Sequence, residues 1–571
     1  MAEPPPRVVW RDSRRLTGPS LLLDGPGAVL EAACPPGLED RLIGDWRRQA
    51  LVMLQAVGWP DAQLASRGFL GGASLAIASP ADGAYAATLV NEWACEAAAA
   101  DLGGCPMPPL ESAAASIRRE IAADRNPALS ALAQAAAEHG VACVLGDRRV
   151  SVGLGRGSDR WFDDDIPAPE AIDWAAIHDV PLVLVTGTNG KSTTVRLLAA
   201  IARAAGKVAG LSSSDWVRVG DEVLERGDFS GPGGARLVLR DRRVEIAVLE
   251  LARGGILRRG LPVARADAAI VTNVAADHLG EYGILDLDGV ADAKLVVAKA
   301  LHGGPLILNA DDPRLVERAA GTGAPISWFT MAPAHGIHDG AALEQGWLAV
   351  RSDGKSLPVL PAAEVRIGMG GAARHNLANA LAAIAGAAAL GLPIAAMAEA
   401  LRSFGADEAD NPGRGLLREV GGVRVLVDFA HNPHGVAAIA QLVAAIPATR
   451  RLVLLGQAGD RTEPEIRALA AAVWAMRPQR IVIKEMESYL RGRPAGEIPA
   501  LLRDELGRLG APAEAVTVDD SETAAVRAAL GWAEAGDLLV LLSHAARART
   551  LAFLDRLAAA GWQAGEELPG G

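Results

Sequence analysis

The stretch VLVTGTNGKSTTVRLLAAI, residues 183–201, places glycines, a lysine and two hydroxyl residues directly after an apolar run. Gly187, Thr188, Asn189 and Gly190 form a turn whose backbone N–H groups would face an anion, and a helix N-terminus follows. In that arrangement Lys191 reaches the β- and γ-phosphates of a nucleotide and the Ser192 hydroxyl ligates Mg²⁺, with Thr193 beside it. The general pattern G-x-x-x-x-G-K-[ST] requires a glycine at position 185, where this chain has Val185. Further along, VLELARGGIL puts Glu250 at the end of an apolar run, and VTNVAADHLGEYG puts Asn273, Asp277 and His278 at the end of the next. A carboxylate and an imidazole at such strand ends suit metal ions that clamp a nucleotide. NPGRG supplies Arg414, whose planar fork suits a γ-phosphate.

Elements that position these groups are legible around them. PLVLVT, VEIAVLE, DAAIVTN and PLILN are short apolar runs separated by helical patterns, which predicts a parallel sheet covered by helices. A second series, VRVLVDF, RLVLLG, RIVIK, AVTV and DLLVLLS, again with helices between, predicts a separate Rossmann-like domain. The first ~165 residues read as mixed α/β, with helical spacing in DRLIGDWRRQALVMLQAVGW and TLVNEWACEAAAADL. DDDIPAPEAIDW, residues 163–174, is an acidic, proline-containing linker, and GADEADNPGRG, residues 405–415, marks the second boundary. The fold class expected is therefore multidomain α/β: a mixed α/β domain at 1–165, a phosphate-loop domain at 166–410 and a Rossmann-like domain at 411–571.

A short G-T-N-G-K-[ST] after a strand resembles the loop of Mur ligases, for which Val185 is no defect. The later motifs resemble that family in order, over roughly residues 181–557. By this resemblance Lys294, in ADAKLVVAKA, is carbamylated and helps hold a second Mg²⁺, leaving Lys299 as the solvated neighbour. The resemblance further implies that Asn309 and Asn379 (the latter in RHNLANALAA, three residues after Asn376) lie at the nucleotide and that Asn379 reads the adenine. Asp428 takes the ribose hydroxyls and His431 lines the cleft. ELARGGIL and LRGRPAGEIPALL, with GDFSGPGGARLVLRD and GQAGDRTEPEIRALA, look like the Mur-type half of cyanophycin synthetase. The N-terminal residues resemble that family's N-terminal domain more loosely, and AAAEHGVACVLGDRRVSVGLGRGSDRW resembles the start of its ATP-grasp region. The linker then runs straight to the phosphate loop, with no ATP-grasp domain between them.

The resemblance implies an ATP- and Mg²⁺-dependent, ADP-forming ligase acting through an acyl phosphate. Its partners would be an amino acid, arginine by analogy, and an Asp-type carboxylate of a peptide or small acid. Two alternatives stay open: a ligase of the same chemistry with a γ-glutamyl or cell-wall-like acceptor, and a nucleotide-binding subunit without catalysis.

Composition limits the rest. A net charge of −12 over 571 residues argues against nucleic acid or an anionic membrane as partner. ALAAIAGAAALGLPIAAM, residues 380–397, is uncharged but rich in alanine and glycine and broken by Pro393, so two buried helices are expected rather than a membrane span. Cys34, Cys95, Cys105 and Cys143 form no C-x-x-C pair, and MAEPPPRVVWRDSRR has no apolar signal core, which fits a reducing cytoplasm. The single histidine before residue 166, His139, supports no hydrolase metal site there. A docking or oligomerisation role for that domain, in a homo-oligomer, is expected.

Overall fold

The computed structural model describes residues 8–569 except 147, 334 and 335. Seven of the fifteen N-terminal residues read for a targeting signal thus lie outside the described residues. So does Asp147, within the stretch resembling an ATP-grasp start.

Four antiparallel strands open the chain, in the order Val9–Leu16, Gly27–Ala33, Gly72–Ala78, Leu64–Phe69. Helices Glu39–Val57 and Ala84–Gly103 cover one face of the sheet. A buried polar bridge joins the two helices to the sheet: Trp46 Nε1 donates to Asn91 Oδ1 (2.8 Å), and Asn91 Nδ2 donates to the Leu75 carbonyl (2.8 Å). A three-stranded sheet over residues 143–162 follows. The segment after it, 163–176, is almost entirely exposed or half-buried and carries only one short 3₁₀ turn.

The central sheet has eleven strands. Its middle is parallel, as the apolar runs predict: Leu182–Thr186 lies between Ile246–Glu250 and Ala268–Val271, and Leu306–Asn309 continues the sheet. These strands are buried on both faces, which explains why they alternate no polar residues. Beyond them the sheet departs from the expected pattern. Strands Trp216–Val219 and Glu222–Arg226 at one edge, and Trp347–Ser352 and Lys355–Pro361 at the other, are antiparallel hairpins. Helix Lys191–Ala204 packs on this sheet against helices Arg374–Ala389 and Ile394–Ser403. The last two contain the uncharged segment, split at Pro393 as expected, and no helix among the described residues is long and apolar enough to cross a membrane.

The C-terminal sheet has six strands: Leu416–Val420 pairs antiparallel to Val423–Asp428, which continues parallel through Leu538–Leu542, Arg451–Leu455, Arg480–Lys484 and Val516–Asp519. The four cysteines are free.

Candidate active site

Val185 sits fully buried inside the strand Leu182–Thr186, so the turn starts only at Gly187. Both loop glycines are required by geometry. Gly187 has φ 144°, and a Cβ there would fall 1.8 Å from Thr272 Oγ1; Gly190 has φ 86°, and a Cβ there would fall 2.1 Å from Asn379 Oδ1. Asn273 clamps the loop from the next strand end: its Oδ1 accepts from Asn189 N (2.9 Å) and its Nδ2 donates to the Asn189 carbonyl (3.0 Å). Thr188 N bonds the Asn273 carbonyl (3.0 Å). Gly190→Ala is expected to destabilise the central domain by about 1–3 kcal/mol, through left-handed strain and the Asn379 clash together. Nucleotide titration and thermal unfolding of that variant check this; unchanged values in both would reject the steric account.

The other sequence candidates converge on this loop. Lys191 Nζ lies within hydrogen-bond reach of the Gly187 and Thr188 carbonyls (3.1 and 3.0 Å). Ser192 Oγ meets Ser214 Oγ at 2.9 Å, and Ser214 N donates to Glu250 Oε2 (3.1 Å), so one short segment ties the hydroxyl to the buried strand-end carboxylate. Asn309 Nδ2 donates to the Thr272 carbonyl (3.0 Å), and Asn379 packs behind Gly190 beside Asn376 (3.4 Å). Lys294 is buried; burial first, then the charges of Lys191 and Arg253, push its ammonium well below the ordinary lysine range. Lys299 is not simply solvated: its Nζ pairs with Asp24 at 2.8 Å.

The C-terminal domain closes the other side. Asn189 and Asn432 exchange side-chain amide hydrogen bonds across the domain boundary (3.1 Å each). Asp428 accepts from Gly415 N (2.6 Å) and Ala430 N (2.7 Å), yet burial keeps its carboxyl above the usual range. His431 Nε2 stands 3.5 Å from Asp277 Oδ2. Burial opposes the Asp277 charge, but His431 and Arg461 outweigh it and hold the carboxyl well below the usual range. Arg414 Nη2 reaches Ser214 Oγ (3.0 Å) and Asp215 Oδ2 (3.4 Å). Of these groups Lys191, Ser192, Glu250, Asp277, Lys294, Asn309, Asn379, Arg414, Asp428 and His431 line one cleft of about 890 Å³ between the two domains.

Several groups at the cleft were not singled out from sequence. Asp215 pairs with Arg196, which also donates to Asn411 Oδ1 (3.1 Å), and with Arg414 and Arg547 from the C-terminal domain. Phe429 is flanked by the Arg414 and Arg547 guanidinium groups (4.9 and 5.1 Å from the ring centroid). Arg461 Nη1 and Nη2 meet His278 Nδ1 and Nε2 (3.0 and 2.8 Å), and Glu281 Oε1 lies 3.1 Å from the same Nδ1. His278 is therefore in the cleft, as expected of a metal ligand, but its ring nitrogens face a guanidinium and a carboxylate. With Asp460, His278 and Glu281 bring three possible ligand atoms within 4.8 Å of one another. Arg253 spends one arm on Glu281 (2.7 Å) and leaves the other without a partner among the described residues, while exposed Arg258 lines the same cleft.

The oxygen donors Ser192 and Glu250, joined through Ser214, suit a hard divalent cation such as Mg²⁺.

The chain is similar to known proteins over this part of its length. Residues 185–387 match the Mur ligase middle domain, and residues 414–544 match the Mur ligase glutamate ligase domain. The chain is 38% identical over 386 residues to cyanophycin synthetase of Crocosphaera subtropica, covering 66% of this chain and 44% of that protein. It thus spans less than half the length of that relative. It is 31% identical over 364 residues to the UDP-N-acetylmuramoylalanine–D-glutamate ligase of Methylococcus capsulatus, covering 63% of this chain and 67% of that protein. Among solved structures, E. coli FolC in complex with DHPP and ADP has the same fold, with a TM-score of 0.50 at 24% identity over 66% of this chain and 89% of that one. With the middle and glutamate ligase domains of Mur ligases matched in succession, and a 31% identical Mur ligase covered over 67% of its length, the chain belongs to the Mur ligase family.

Proposed function

We propose that the chain is an ADP-forming amide ligase that joins an amino-acid amine, arginine by analogy with cyanophycin synthetase, to an Asp-type carboxylate. The observation that carries this reading is the convergence of Lys191, Glu250, Lys294 and Arg414 on one interdomain cleft. An acceptor carboxylate oxygen attacks the γ-phosphorus of ATP, ADP departs, and the acyl phosphate forms. The amine nitrogen then attacks the acyl carbon, the amide bond forms, and phosphate leaves after the nitrogen gives up a proton. Lys191 and Arg414 offset charge on the phosphoryl group in transit. Mg²⁺, held by Ser192 and Glu250, would supply further neutralisation of phosphate charge. For His278 to join Glu250 in holding metal, Arg461 must withdraw, which couples that step to movement of the C-terminal domain. Burial that favours the neutral Lys294 amine supports its carbamylation, which solid-state ¹³C NMR after labelled-bicarbonate exposure tests directly. Arg253 and Arg258 support an anionic acceptor at the far end of the cleft.

The test is ADP release by the purified chain with Mg-ATP across a matrix of amino acids and acidic acceptors, including Asp peptides with a free β-carboxylate. Release that requires arginine and an Asp acceptor together is expected. Release with a different pair keeps the ligase and replaces its substrates; no release with any pair, despite nucleotide binding, rejects catalysis by this chain alone.

A further inference from the structure

None of the described residues before 166 lines the cleft, yet they hold the end of it where Arg253 and Arg258 stand. Two central-domain segments build that end: the helix Arg253–Arg259 and the turn 278–284, which carries His278 and Glu281. His278 and Tyr282 have φ of 55° and 53°, left-handed conformations that non-glycine residues keep only where the surroundings over-determine them. On the cleft side the turn is held by Arg253 through Glu281. On the opposite side it is held by the N-terminal sheet. Arg67 Nη2 donates to the Gly283 carbonyl (2.8 Å) and approaches that of Tyr282 (3.4 Å). The Phe69 ring lies so close to Gly283 that a Cβ there would fall 2.4 Å from it.

Arg14 joins the turn to the helix. Its guanidinium lies 4.5 Å from the Tyr282 ring centroid, and its Nε donates to the Leu257 carbonyl (3.1 Å). Arg14 is itself fixed within the N-terminal sheet by Glu31 (2.8 Å) and Asp12 (2.7 Å), and Ser74 anchors Glu31 (2.7 Å). Backbone bonds from Thr17 N to the Arg259 carbonyl and from Leu261 N to the Pro19 carbonyl fix the end of the same helix. These contacts come from two strands and a loop of one domain, and they fall on, or directly after, the two segments that shape one end of the cleft.

We infer that the N-terminal domain is a positioning element of the ligase site: Arg67, Phe69 and Arg14 are positioning residues that set the His278–Glu281 turn and the Arg253 helix in working register. The activity part of this rests on the proposed ligase reading; the structural part does not. The test uses the full chain and its Arg67→Ala variant, with amide hydrogen exchange and steady-state ADP release measured on both. Gly280 N and Ile284 N, which bond inside the turn, are expected to exchange about tenfold faster in the variant, while amides of Leu182–Thr186 keep their wild-type rates. The kcat is expected to fall about tenfold with KM for ATP within about twofold, and Arg67→Lys is expected to recover part of both. Circular dichroism establishes that the variant is folded, and Phe69→Ala carries the same test if Arg67→Ala is not. Unchanged exchange at 278–284 overturns the inference, as does faster exchange with unaltered kcat. Absence of ADP release from the wild-type chain with every substrate pair counts against the ligase reading instead, and exchange then decides the positioning role alone.

Discussion

Lys191→Ala is expected to lower ADP release by about three orders of magnitude, because it removes a charge-assisted donor from the phosphoryl group. Folding is expected to change little. Lys191 is half-buried at the first helical position and bonds only loop carbonyls, so its loss leaves no buried charge without a partner. Single-turnover ADP formation is the appropriate measurement, since it separates chemistry from product release. A variant that still forms ADP at the wild-type rate would remove the phosphate loop from the reaction. A variant altered only in nucleotide affinity or assembly would favour a non-catalytic subunit.

Asp215→Ala is expected to be the most destabilising single change near the cleft. Arg196 is almost fully buried, stacks on Trp216 (4.2 Å) and relies on Asp215 for its counter-charge. Burial already pushes its guanidinium down to about 10. Removing one partner of a buried pair costs about 3–5 kcal/mol. The same substitution releases Arg414 and Arg547 and so loosens the two domains, which small-angle scattering and urea unfolding of the central domain would both register. Asp215→Asn, which keeps the shape, should recover only part of the loss. Burial works against the Asp215 charge, but Arg414, Arg196 and Arg547 outweigh it and hold the carboxyl well below its ordinary 3.8. Below that ordinary value the unfolded chain binds the proton more readily than the folded one. The contribution is therefore complete above about pH 4 and is lost progressively as pH falls further. Domain separation setting in above pH 6 would be evidence against Asp215 as its cause.

Part of the nucleotide half of the site is readable because its groups lie at or just after the end of an apolar strand, whereas Lys294 and Asn379 stand in helices and are reached only through the family resemblance. Leu182–Thr186 delivers Lys191, Ile246–Glu250 delivers Glu250, and Val423–Asp428 delivers Asp428; a local pattern locates each. Asp215, Arg461 and Arg547 have no such frame. Arg547 meets Asp215 across 332 positions, and Arg461 meets His278 across 183, so neither has a local signal. Glu281 and Tyr282 lie within a quoted motif, but their importance comes from the N-terminal sheet behind them. The hairpins flanking the parallel strands were also not anticipated. Strands such as Trp216–Val219 are four residues long, and charged residues interrupt the neighbouring runs, so periodicity separates them poorly from loop. Lys299 shows the same limit on a smaller scale: the resemblance that distinguished it from Lys294 said nothing of Asp24.

The exposed stretch 163–176 has a meaning for how such chains are assembled. Few of its backbone groups are committed to the folded units on either side, and lengthening a surface connection costs only about 0.6 kcal/mol per doubling of its length. An entire foreign module could therefore be spliced in at Asp164–Asp165 while the wall behind the 278–284 turn stays in place, because that wall is held by contacts across space rather than by the tether. Chimera building has a natural cut point there. The same freedom would let lineages gain or discard a neighbouring catalytic module without dismantling the ligase that remains.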